Sequence, residues 1–492
     1  MMEAGCSRTE TAKHGRTEGA TLQEYFRRCI ASPWLSSAHS FPYGCVYVTL
    51  RNVNTMNSEA RKAREPIMQT NRRNILRTAI AAGAAAALPA SAQDKGKPCY
   101  APGANPHYAK LDEILTQPVF RRDLFPNPVI IESIELLHYK NSYLCRVRSK
   151  DGAEGISISN SQQMEVLYPI FVKRIAPYFI GKDARDIELL LEEVTVYESN
   201  YKATSLAIFV PMATVEFAIL DMFGRMSGKS IGLLISDKIY NPNIAVYQAN
   251  GERYISAEET IEHLQRDVAI SKAKAIKFKL GGRMSHPETP AGRSEKLIPL
   301  VRKTFGDSMV ISADANGSYT VAEALPIGRL MQEYKYAFYE EPVPFDWYEE
   351  IKQIADSLQI PIALGEQEPS THNFRWLIAN KAIGICQQDM FYFGGMVRCM
   401  RVARMAHAMG QQCIPHISST GLGYVYMMHF VSAIPNSGPY HEFKEFNNDL
   451  PYTCSTSTLR SNGDGVIKVP TGPGVGLDID PDYIKKHTVV TG

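Results

Sequence analysis

Residues 311–316 read Ile-Ser-Ala-Asp-Ala-Asn, residues 338–342 read Phe-Tyr-Glu-Glu-Pro, and residues 363–367 read Ala-Leu-Gly-Glu-Gln. Each stretch carries a carboxylate directly after a short apolar run, and Asp314, Glu340 and Glu366 follow one another at intervals of 26 residues. A strand, its loops and its helix use about this many residues in a (β/α)8 barrel, where catalytic groups lie at the carboxyl ends of the strands. The spacing therefore predicts three carboxylates on adjacent strand ends. Such an all-oxygen set suits a hard divalent cation, Mg²⁺ first and Mn²⁺ as an alternative.

The regular spacing of polar residues continues beyond the third carboxylate. Asp389 follows Glu366 by 23 residues, and His416 and Glu442 follow at further intervals of 27 and 26 residues. Each of the three comes after a short segment that could form a strand. We therefore predict that Asp389, His416 and Glu442 also lie at strand ends of the same barrel.

Two lysines stand on the predicted strand that precedes the first carboxylate. Lys277 and Lys279 are two residues apart, so their side chains share one face of the strand. A lysine pair that points into a packed barrel is costly unless anionic partners lie there. The three predicted carboxylates supply such partners, which favours an internal site over a solvent-exposed strand edge.

A signal-like segment precedes the region of regular spacing. From Asn71 the chain has twin arginines, then an apolar stretch at 78–88 and the small-residue sequence Ala-Ser-Ala at 90–92. This pattern is typical of a twin-arginine signal peptide, predicted over 68–92, and a helical linker is the alternative. The apolar stretch is too short to span a bilayer, and we predict no transmembrane helix. Residues 1–67 are interpreted as a spurious or disordered extension, and the protein as periplasmic, or as cytoplasmic if the signal is not used.

Composition excludes several functional classes. The formal net charge is +2, which gives no strong field for nucleic acid or an anionic membrane surface. The nine cysteines are scattered without a Cys-x-x-Cys pair, so they do not resemble a zinc site or a dense disulfide framework. We interpret the cysteines of the mature chain as small buried hydrophobes.

The order of predicted elements divides the chain into regions. Residues 93–127 are rich in proline, glycine and charge and are interpreted as a leader segment. Strand-like segments followed by helical patterns predict an α+β domain at 128–240. Strands then alternate with helices over 241–442, which predicts a barrel of seven to eight units.

The ordered set of motifs resembles the enolase superfamily, specifically its mandelate racemase subgroup. The set consists of Lys277-Phe-Lys279, Asp314-Ala-Asn316, Glu340-Glu341-Pro342, Gly365-Glu366, Asp389 and His416. The resemblance covers roughly 128–480. It implies an α/β fold, a modified TIM barrel of the (β/α)7β type with an N-terminal α+β capping domain, and a C-terminal segment at 443–492 that returns to the cap. It also implies a homo-oligomer.

The resemblance assigns roles on the metal-binding side of the site. It implies that Asp314, Glu340 and Glu366 bind one Mg²⁺ per active site. Lys279 would be the base on one face of the substrate α-carbon. Lys277 would lie beside the substrate carboxylate and help to keep Lys279 neutral, since neighbouring positive charges disfavour a protonated amine.

The same resemblance assigns the opposite side of the site. His416, oriented by Asp389, would be the acid or base on the other face of the α-carbon, because a carboxylate fixes the tautomer of a histidine and stabilises its charged form. Asn316 and Glu442 resemble substrate-contacting positions. Specificity loops are expected in the cap, near 138–142 and 157–163. In the first of these loops, His138, Tyr139 and Lys140 are candidate contacts for a polar or anionic end of the substrate, or else an exposed hairpin tip.

The implied chemistry is removal of a proton α to a carboxylate, which is difficult because it places a second negative charge on that group; a divalent cation stabilises this charge. Dehydration of a sugar acid to a 2-keto-3-deoxy acid is the favoured reaction. Racemisation, epimerisation or cycloisomerisation of a 2-hydroxy acid is the alternative.

A non-catalytic exported binding protein is a more remote alternative, and it predicts decay of the lysine pair or the His–Asp pair. A metal-dependent hydrolase is also remote, because such barrels commonly use histidine-rich sites.

Overall fold

The computed structural model describes residues 100, 103–419, 421–443, 451–453 and 464–491. The predicted extension at 1–67, the predicted signal at 68–92 and the start of the leader segment lie outside the described residues. The rest of the leader segment includes a helix, α1 (Tyr108–Thr116). This helix contacts the outer helices of the barrel, where Lys110 Nζ donates to the carbonyl of Ala408 at 3.3 Å and Arg375 pairs with Asp112.

The cap begins with an antiparallel meander and continues as helices. Turn chemistry explains the meander, because Lys140 and Gly152 adopt the positive φ angles (53° and 90°) that its two tight turns need. The strands are β1 (Ile131–Tyr139), β2 (Ser142–Ser149) and β3 (Glu154–Ile158). The helices are α2 (Ser161–Ile170), which continues through a π turn at Phe171–Ile175, then α3 (Ala176–Phe179), α4 (Ile187–Val194), α5 (Leu206–Ser227) and α6 (Ile231–Ile235).

The region from 243 to 443 alternates parallel strands with helices. In chain order the elements are β4 (Asn243–Ala249), α7 (Ala257–Ser271), β5 (Ala275–Lys279), α8 (Arg293–Phe305), β6 (Val310–Asp314), α9 (Val321–Glu333), β7 (Tyr339–Glu340), α10 (Tyr348–Ser357), β8 (Ile362–Leu364), α11 (Thr371–Ala379), β9 (Ile385–Cys386), α12 (Met396–Ala408), β10 (Gln412–Cys413), α13 (Leu422–Ser432) and β11 (His441–Phe443). The strands pair in the order β10-β9-β8-β7-β6-β5-β4-β11, and a parallel bridge joins Cys413 to Ser437 at the seam. Among the described residues, seven strand–helix pairs precede the last strand. This confirms the predicted α/β class and the (β/α)7β order.

The C-terminal segment adds short elements that contact both the barrel and the cap. They are β12 (Tyr452–Thr453), β13 (Val466–Lys468), β14 (Asp478–Ile479), α14 (Pro481–Ile484) and β15 (Thr488–Val489). β13 pairs with the first barrel strand β4, and β15 pairs antiparallel with the first cap strand β1. The segment therefore runs from the barrel back to the cap sheet.

The described residues include one long apolar helix and four cysteines, two features on which the composition led to predictions. α5 is the one described helix that is long and apolar enough to cross a membrane, but 89% of its most apolar window is buried inside the protein. Its burial is that of a core helix. The four cysteines that the structure describes, Cys145, Cys386, Cys399 and Cys413, are all free and buried, as expected of small hydrophobic residues.

A buried carboxylate ties α5 to the cap sheet and to the C-terminal segment. Asp221 is fully buried, and it accepts hydrogen bonds from the backbone N–H groups of Ile156 (2.9 Å) and Val475 (2.8 Å) and from Arg225 Nε (2.8 Å). Gly474 lies so close that a Cβ there would meet Asp221 Oδ1 at 2.1 Å, and its φ angle is +67°. Only glycine fits both conditions, so Asp221 and Gly474 together dock the C-terminal segment.

We expect Asp221→Ala to lower the free energy of unfolding by about 3 kcal/mol, because it leaves two buried N–H groups without partners. Denaturant unfolding followed by circular dichroism measures this loss. Asp307→Ala is the matched control, since Asp307 forms an exposed pair with Lys335 and exposed pairs add little to stability. Equal unfolding midpoints for Asp221→Ala and the unsubstituted protein would contradict a docking role.

Candidate active site

The three predicted carboxylates meet at one end of the barrel. Asp314 and Glu340 are the last residues of β6 and β7 and are direct partners in the parallel register, while Glu366 follows β8 by two residues. One oxygen from each carboxylate lies within 4.8 Å of the others. Among the described residues this is the one such group of potential metal ligands. The structure therefore brings together the whole set that the 26-residue spacing predicted.

The two lysines of β5 each contact one of these carboxylates. Lys277 Nζ lies 2.8 Å and 3.1 Å from the two carboxylate oxygens of Glu340, and 3.8 Å from Glu442 Oε1. Lys279 is the register partner of Asp314 and donates to its Oδ2. Although burial opposes the charged form of Lys277, the charges of Glu340 and Glu442 outweigh it and hold the pKa of Lys277 well above its usual value. Lys277 is thus a fixed buried cation.

The electrostatics of the carboxylates favour a bound cation. Burial would raise the pKa of Asp314, but Lys279 and Lys277 outweigh it and lower that pKa to about 2. Burial and the negative charge of Asp314 raise the pKa of Glu340 to about 7, despite the contact with Lys277. Carboxylates this close repel one another when all are ionised, and a divalent cation among them offsets that repulsion.

One atom of the cluster lacks a hydrogen bond. Glu366 Oε2 is buried and has no hydrogen-bond partner, and the Nε2 atom of His416 lies 3.5 Å from it. A buried carboxylate oxygen without a partner costs free energy unless a ligand satisfies it. The free oxygen and the all-carboxylate donor set both fit Mg²⁺.

His416 and Asp389 form a hydrogen-bonded pair across the barrel from the lysines. His416 Nδ1 lies 2.9 Å from Asp389 Oδ2, which also accepts from Ser418 N at 2.7 Å. The other oxygen of Asp389 accepts the backbone N–H groups of residues 391 and 392. Burial would lower the pKa of His416, but Glu366 and Asp389 outweigh it and raise that pKa. Because Asp389 takes Nδ1, Nε2 is the ring atom that faces Glu366.

Asn316 connects the lysine side of the site to the carboxylates. Its Oδ1 accepts from Lys279 Nζ at 2.9 Å and from Arg253 Nη2 at 2.5 Å, while its Nδ2 donates to Glu341 Oε2 at 3.2 Å and to Glu366 Oε1 at 3.4 Å. Its φ angle of +43° lies in the left-handed region, which asparagine tolerates better than most residues. Asn316 therefore lies at the centre of the predicted site.

Glu442 reaches the site from the last barrel strand. Its Oε2 accepts the backbone N–H of Ile417 at 3.1 Å, next to His416, and its Oε1 faces Lys277. It therefore lies between the lysine side and the histidine side of the barrel mouth.

Three further residues of the site were not singled out from the sequence. Gln387 donates to Glu340 Oε2 at 2.8 Å, Glu341 accepts from Asn316, and Arg253 donates to Asn316. Burial and then the negative charge of Glu366 raise the pKa of Glu341 well above its usual value. Each of the three follows a barrel strand by one to four residues. Functional side chains of a barrel lie just after the carboxyl ends of its strands, so a search for every polar residue at such positions would have found these three.

A cavity of about 370 Å³ opens beside the carboxylates. Its lining combines two cap residues with residues of the barrel loops: Ser205, Leu206, Arg283, Met284, Asn316, Phe345, Glu366, Gln367 and Tyr392. The cap contribution comes from the start of α5. Asn160, in the predicted loop at 157–163, donates to the carbonyl of Ser418 at 3.1 Å and so braces the loop that carries His416.

The hairpin residues proposed from the sequence contact other parts of the chain. His138 stacks on Tyr143 with ring centroids 4.3 Å apart. Tyr139 packs near Tyr483 and His487 of the C-terminal segment, and Lys140 Nζ lies 5.4 Å from the centre of the Tyr139 ring. None of His138, Tyr139 and Lys140 lines the cavity among the described residues. The structure therefore does not bring these three to the carboxylates.

Known proteins share this fold and chain organisation. Residues 259–483 match the family model described as enolase C-terminal domain-like. The chain is 26% identical over 345 residues to arabinonate dehydratase of Saccharolobus solfataricus. The matched region covers 69% of this chain and 89% of that protein. A mandelate racemase/muconate lactonizing protein from Paracoccus denitrificans, solved in complex with magnesium, matches with a TM-score of 0.67 at 22% identity over 74% of this chain and 99% of that chain. The 3,6-anhydro-D-galactonate cycloisomerase of Zobellia galactanivorans matches with a TM-score of 0.59 at 22% identity over 74% and 100% of the two chains.

Proposed function

Since this chain belongs to the enolase superfamily, in its mandelate racemase subgroup, and is an enzyme of acid-sugar dehydration or isomerisation, we propose that it dehydrates a sugar acid to a 2-keto-3-deoxy acid in a Mg²⁺-dependent reaction. One observation carries the proposal. Lys279, on β5, and His416, after β10, approach the same three-carboxylate cluster from strands five places apart in the sheet order. An α-carbon held at the cluster would have a titratable side chain on each face.

Asp314, Glu340 and Glu366 would hold the Mg²⁺. When bound, the cation supplies positive charge that stabilises the second negative charge on the substrate carboxylate. Lys277 would lie beside that carboxylate, where its buried positive charge adds to the same stabilisation. The contacts of Lys277 with Glu340 and Glu442 hold its ammonium group in place.

Lys279 would take the α-proton at Nζ. A base must be within hydrogen-bond reach of the proton that it removes, and Lys279 Nζ already contacts two residues that border the substrate position, Asp314 and Asn316. Lysine also carries a flexible stem, so Nζ can turn from these partners toward a bound substrate.

His416 would donate the proton that lets the β-hydroxyl leave as water. The hydrogen bond between its Nδ1 and Asp389 fixes the tautomer, and its Nε2 faces the cluster. Proton removal at the α-carbon and proton donation to the leaving hydroxyl together produce an enol, which becomes the 2-keto-3-deoxy acid.

Racemisation, epimerisation or cycloisomerisation is the second candidate function. Titratable groups on opposite faces also suit the removal of a proton from one face and its return to the other. The likeness to a cycloisomerase adds support for this alternative.

A non-catalytic binding protein is not favoured, because the lysine pair and the His–Asp pair are both present and in contact with the cluster. Export through the twin-arginine route and assembly as a homo-oligomer remain proposals that rest on residues 68–92 and on the family resemblance.

The function is tested by incubating the purified protein with Mg²⁺ and a panel of sugar acids in D₂O, followed by NMR and mass spectrometry. We expect loss of water and a 2-keto-3-deoxy product from at least one acid, and none when the Mg²⁺ is removed with EDTA. Deuterium at the α-carbon without loss of water would identify a racemase or epimerase instead. No reaction with any member of the panel would contradict the proposal.

We expect His416→Asn to separate proton removal from loss of water. Turnover should fall by about 10²- to 10³-fold, because the acid that protonates the hydroxyl is missing. Exchange of the α-proton with D₂O should persist, because Lys279 is intact, and NMR measures both rates. His407→Asn, on the exposed side of α12, is the control. Loss of exchange together with turnover would show that His416, rather than Lys279, removes the proton.

A further inference from the structure

Arg253 is a buried arginine with few hydrogen-bond partners among the described residues. It lies in the loop after β4, and only 5% of its surface is exposed. Its Nη2 donates to Asn316 Oδ1, while its Nε is buried without a hydrogen-bond partner. Among the described residues it forms no ion pair, and Asp314 pairs with Lys279 instead. Burying a guanidinium with so few partners is costly, which suggests that its position serves the site.

A second buried arginine shows the contrast. Arg293 is 2% exposed, and its guanidinium donates to the carbonyls of Glu252, Ile255 and Lys279 and to the hydroxyl of Thr260, at 2.9–3.3 Å. The partners are three backbone carbonyls and one hydroxyl on the outer helix α7. Arg293 therefore joins several segments of the chain and has a structural role. Arg253 has instead one described hydrogen-bond partner, which is a residue of the active site.

The partners of Asn316 fix the orientation of its amide. Two cationic donors, Lys279 and Arg253, face its carbonyl oxygen, and two carboxylates, Glu341 and Glu366, face its amino group. The reversed amide would place its N–H donors against cations and its oxygen against carboxylates. The charge of Arg253 therefore helps to hold Nδ2 on Glu366.

We propose that Arg253 is a positioning residue, which acts through Asn316 to hold Glu366 and Lys279 in their working places. The inference rests on the proposed function in that it takes Glu366 as a metal ligand and Lys279 as the base. Without Arg253 the amide of Asn316 loses one of the two cations that orient it. Glu366 is then held less firmly by the N–H of Asn316, which contacts one of its oxygens and leaves the other free for a cation.

Substituting Arg253 should have the effect of removing a residue that orients a metal ligand without binding the metal itself. Such changes typically cost about 10- to 100-fold in metal affinity or activity. We therefore expect Arg253→Ala to lower Mg²⁺ affinity and kcat by about 10- to 100-fold, with a smaller change in KM. Arg253→Lys keeps the charge but shortens the donor and changes its shape, and it should recover only part of the loss.

A double-mutant cycle with Asn316 tests the connection directly. If Arg253 acts through Asn316, then Arg253→Ala combined with Asn316→Ala should lower Mg²⁺ affinity and kcat no further than Asn316→Ala alone. Isothermal titration calorimetry gives the affinity and steady-state kinetics gives kcat. Arg266→Ala, at an exposed position on α7, is the control that should leave both unchanged.

Three results would overturn the proposal. One is a double variant in which the two losses multiply, and another is an Arg253→Ala protein with unchanged Mg²⁺ affinity and kcat. The third is a loss of melting temperature in Arg253→Ala that matches Arg293→Ala and is fully recovered by Arg253→Lys, which would indicate a structural role. The affinity measurement needs no substrate. It therefore tests Arg253 even if the sugar-acid panel gives no reaction and the proposed function fails.

Discussion

Lys279→Ala is expected to lower kcat by about 10⁴-fold, the upper end of the contribution of a positioned general base. Lys279 Nζ contacts both Asp314 and Asn316 at the cluster, whereas Lys277 is held by Glu340 and Glu442. Lys277 therefore cannot replace the missing amine without breaking its own ion pairs. Exchange of the α-proton with D₂O should be lost in the same variant, which NMR detects directly.

Lys274→Ala is the matched control for this variant. Lys274 lies just before the same strand and is exposed, so its removal should leave kcat unchanged. Mg²⁺ affinity of Lys279→Ala should remain or rise, because Asp314 loses a competing cation. Substantial turnover by Lys279→Ala would show that another group removes the proton.

The second large effect is expected at the proposed metal ligands. Glu366→Gln should lower Mg²⁺ affinity by about 100-fold or more and lower kcat accordingly, since it replaces a charged oxygen ligand with a neutral amide. Of the three carboxylates, Glu366 is the one that pairs with no lysine among the described residues, although its substitution also changes the contact with His416 Nε2 at 3.5 Å. Its Oε2 has no hydrogen-bond partner, whereas changing Glu340 or Asp314 would also break a lysine ion pair.

Calorimetric titration with Mg²⁺ measures this loss, and Glu349→Gln on the first turn of α10 serves as the control. Because Glu349 lies on an outer helix, its substitution should change neither affinity nor turnover. Unchanged Mg²⁺ affinity in Glu366→Gln would contradict its assignment as a ligand.

The convergence of the three carboxylates and of Lys279 was predictable because the barrel repeats one local rule. The carboxyl ends of all strands of a parallel barrel lie at the same mouth. Asp314, Glu340 and Glu366 occupy equivalent positions in their strand–helix units, so their side chains come together there. The register pairs of Lys279 with Asp314 and of Asp314 with Glu340 show this rule at atomic scale. No long-range information was needed.

The cap contacts could not be predicted in the same way. The tip of the hairpin with His138 and Tyr139 packs on residues about 350 positions later in the chain, and local sequence does not reveal such a partner. The start of α5 is a second example. α5 begins at Leu206, five residues before Pro211, although proline is typical of the first turn of a helix, and its early start brings Leu206 to the cavity. From Ile208 to Gly224 every residue of α5 is buried, so the helix lacks the one-sided hydrophobic periodicity that would mark where it begins.

Removal of the α-proton is the central step of the proposed reaction, and a substrate labelled with deuterium at C2 tests it most directly. With Mg²⁺ and an accepted sugar acid, we expect turnover to slow relative to the unlabelled acid and the label to appear in the solvent, as required if Lys279 removes it as a proton. Complete retention of the deuterium in the product, transferred from C2 to C3, would indicate hydride migration and would contradict proton abstraction by Lys279.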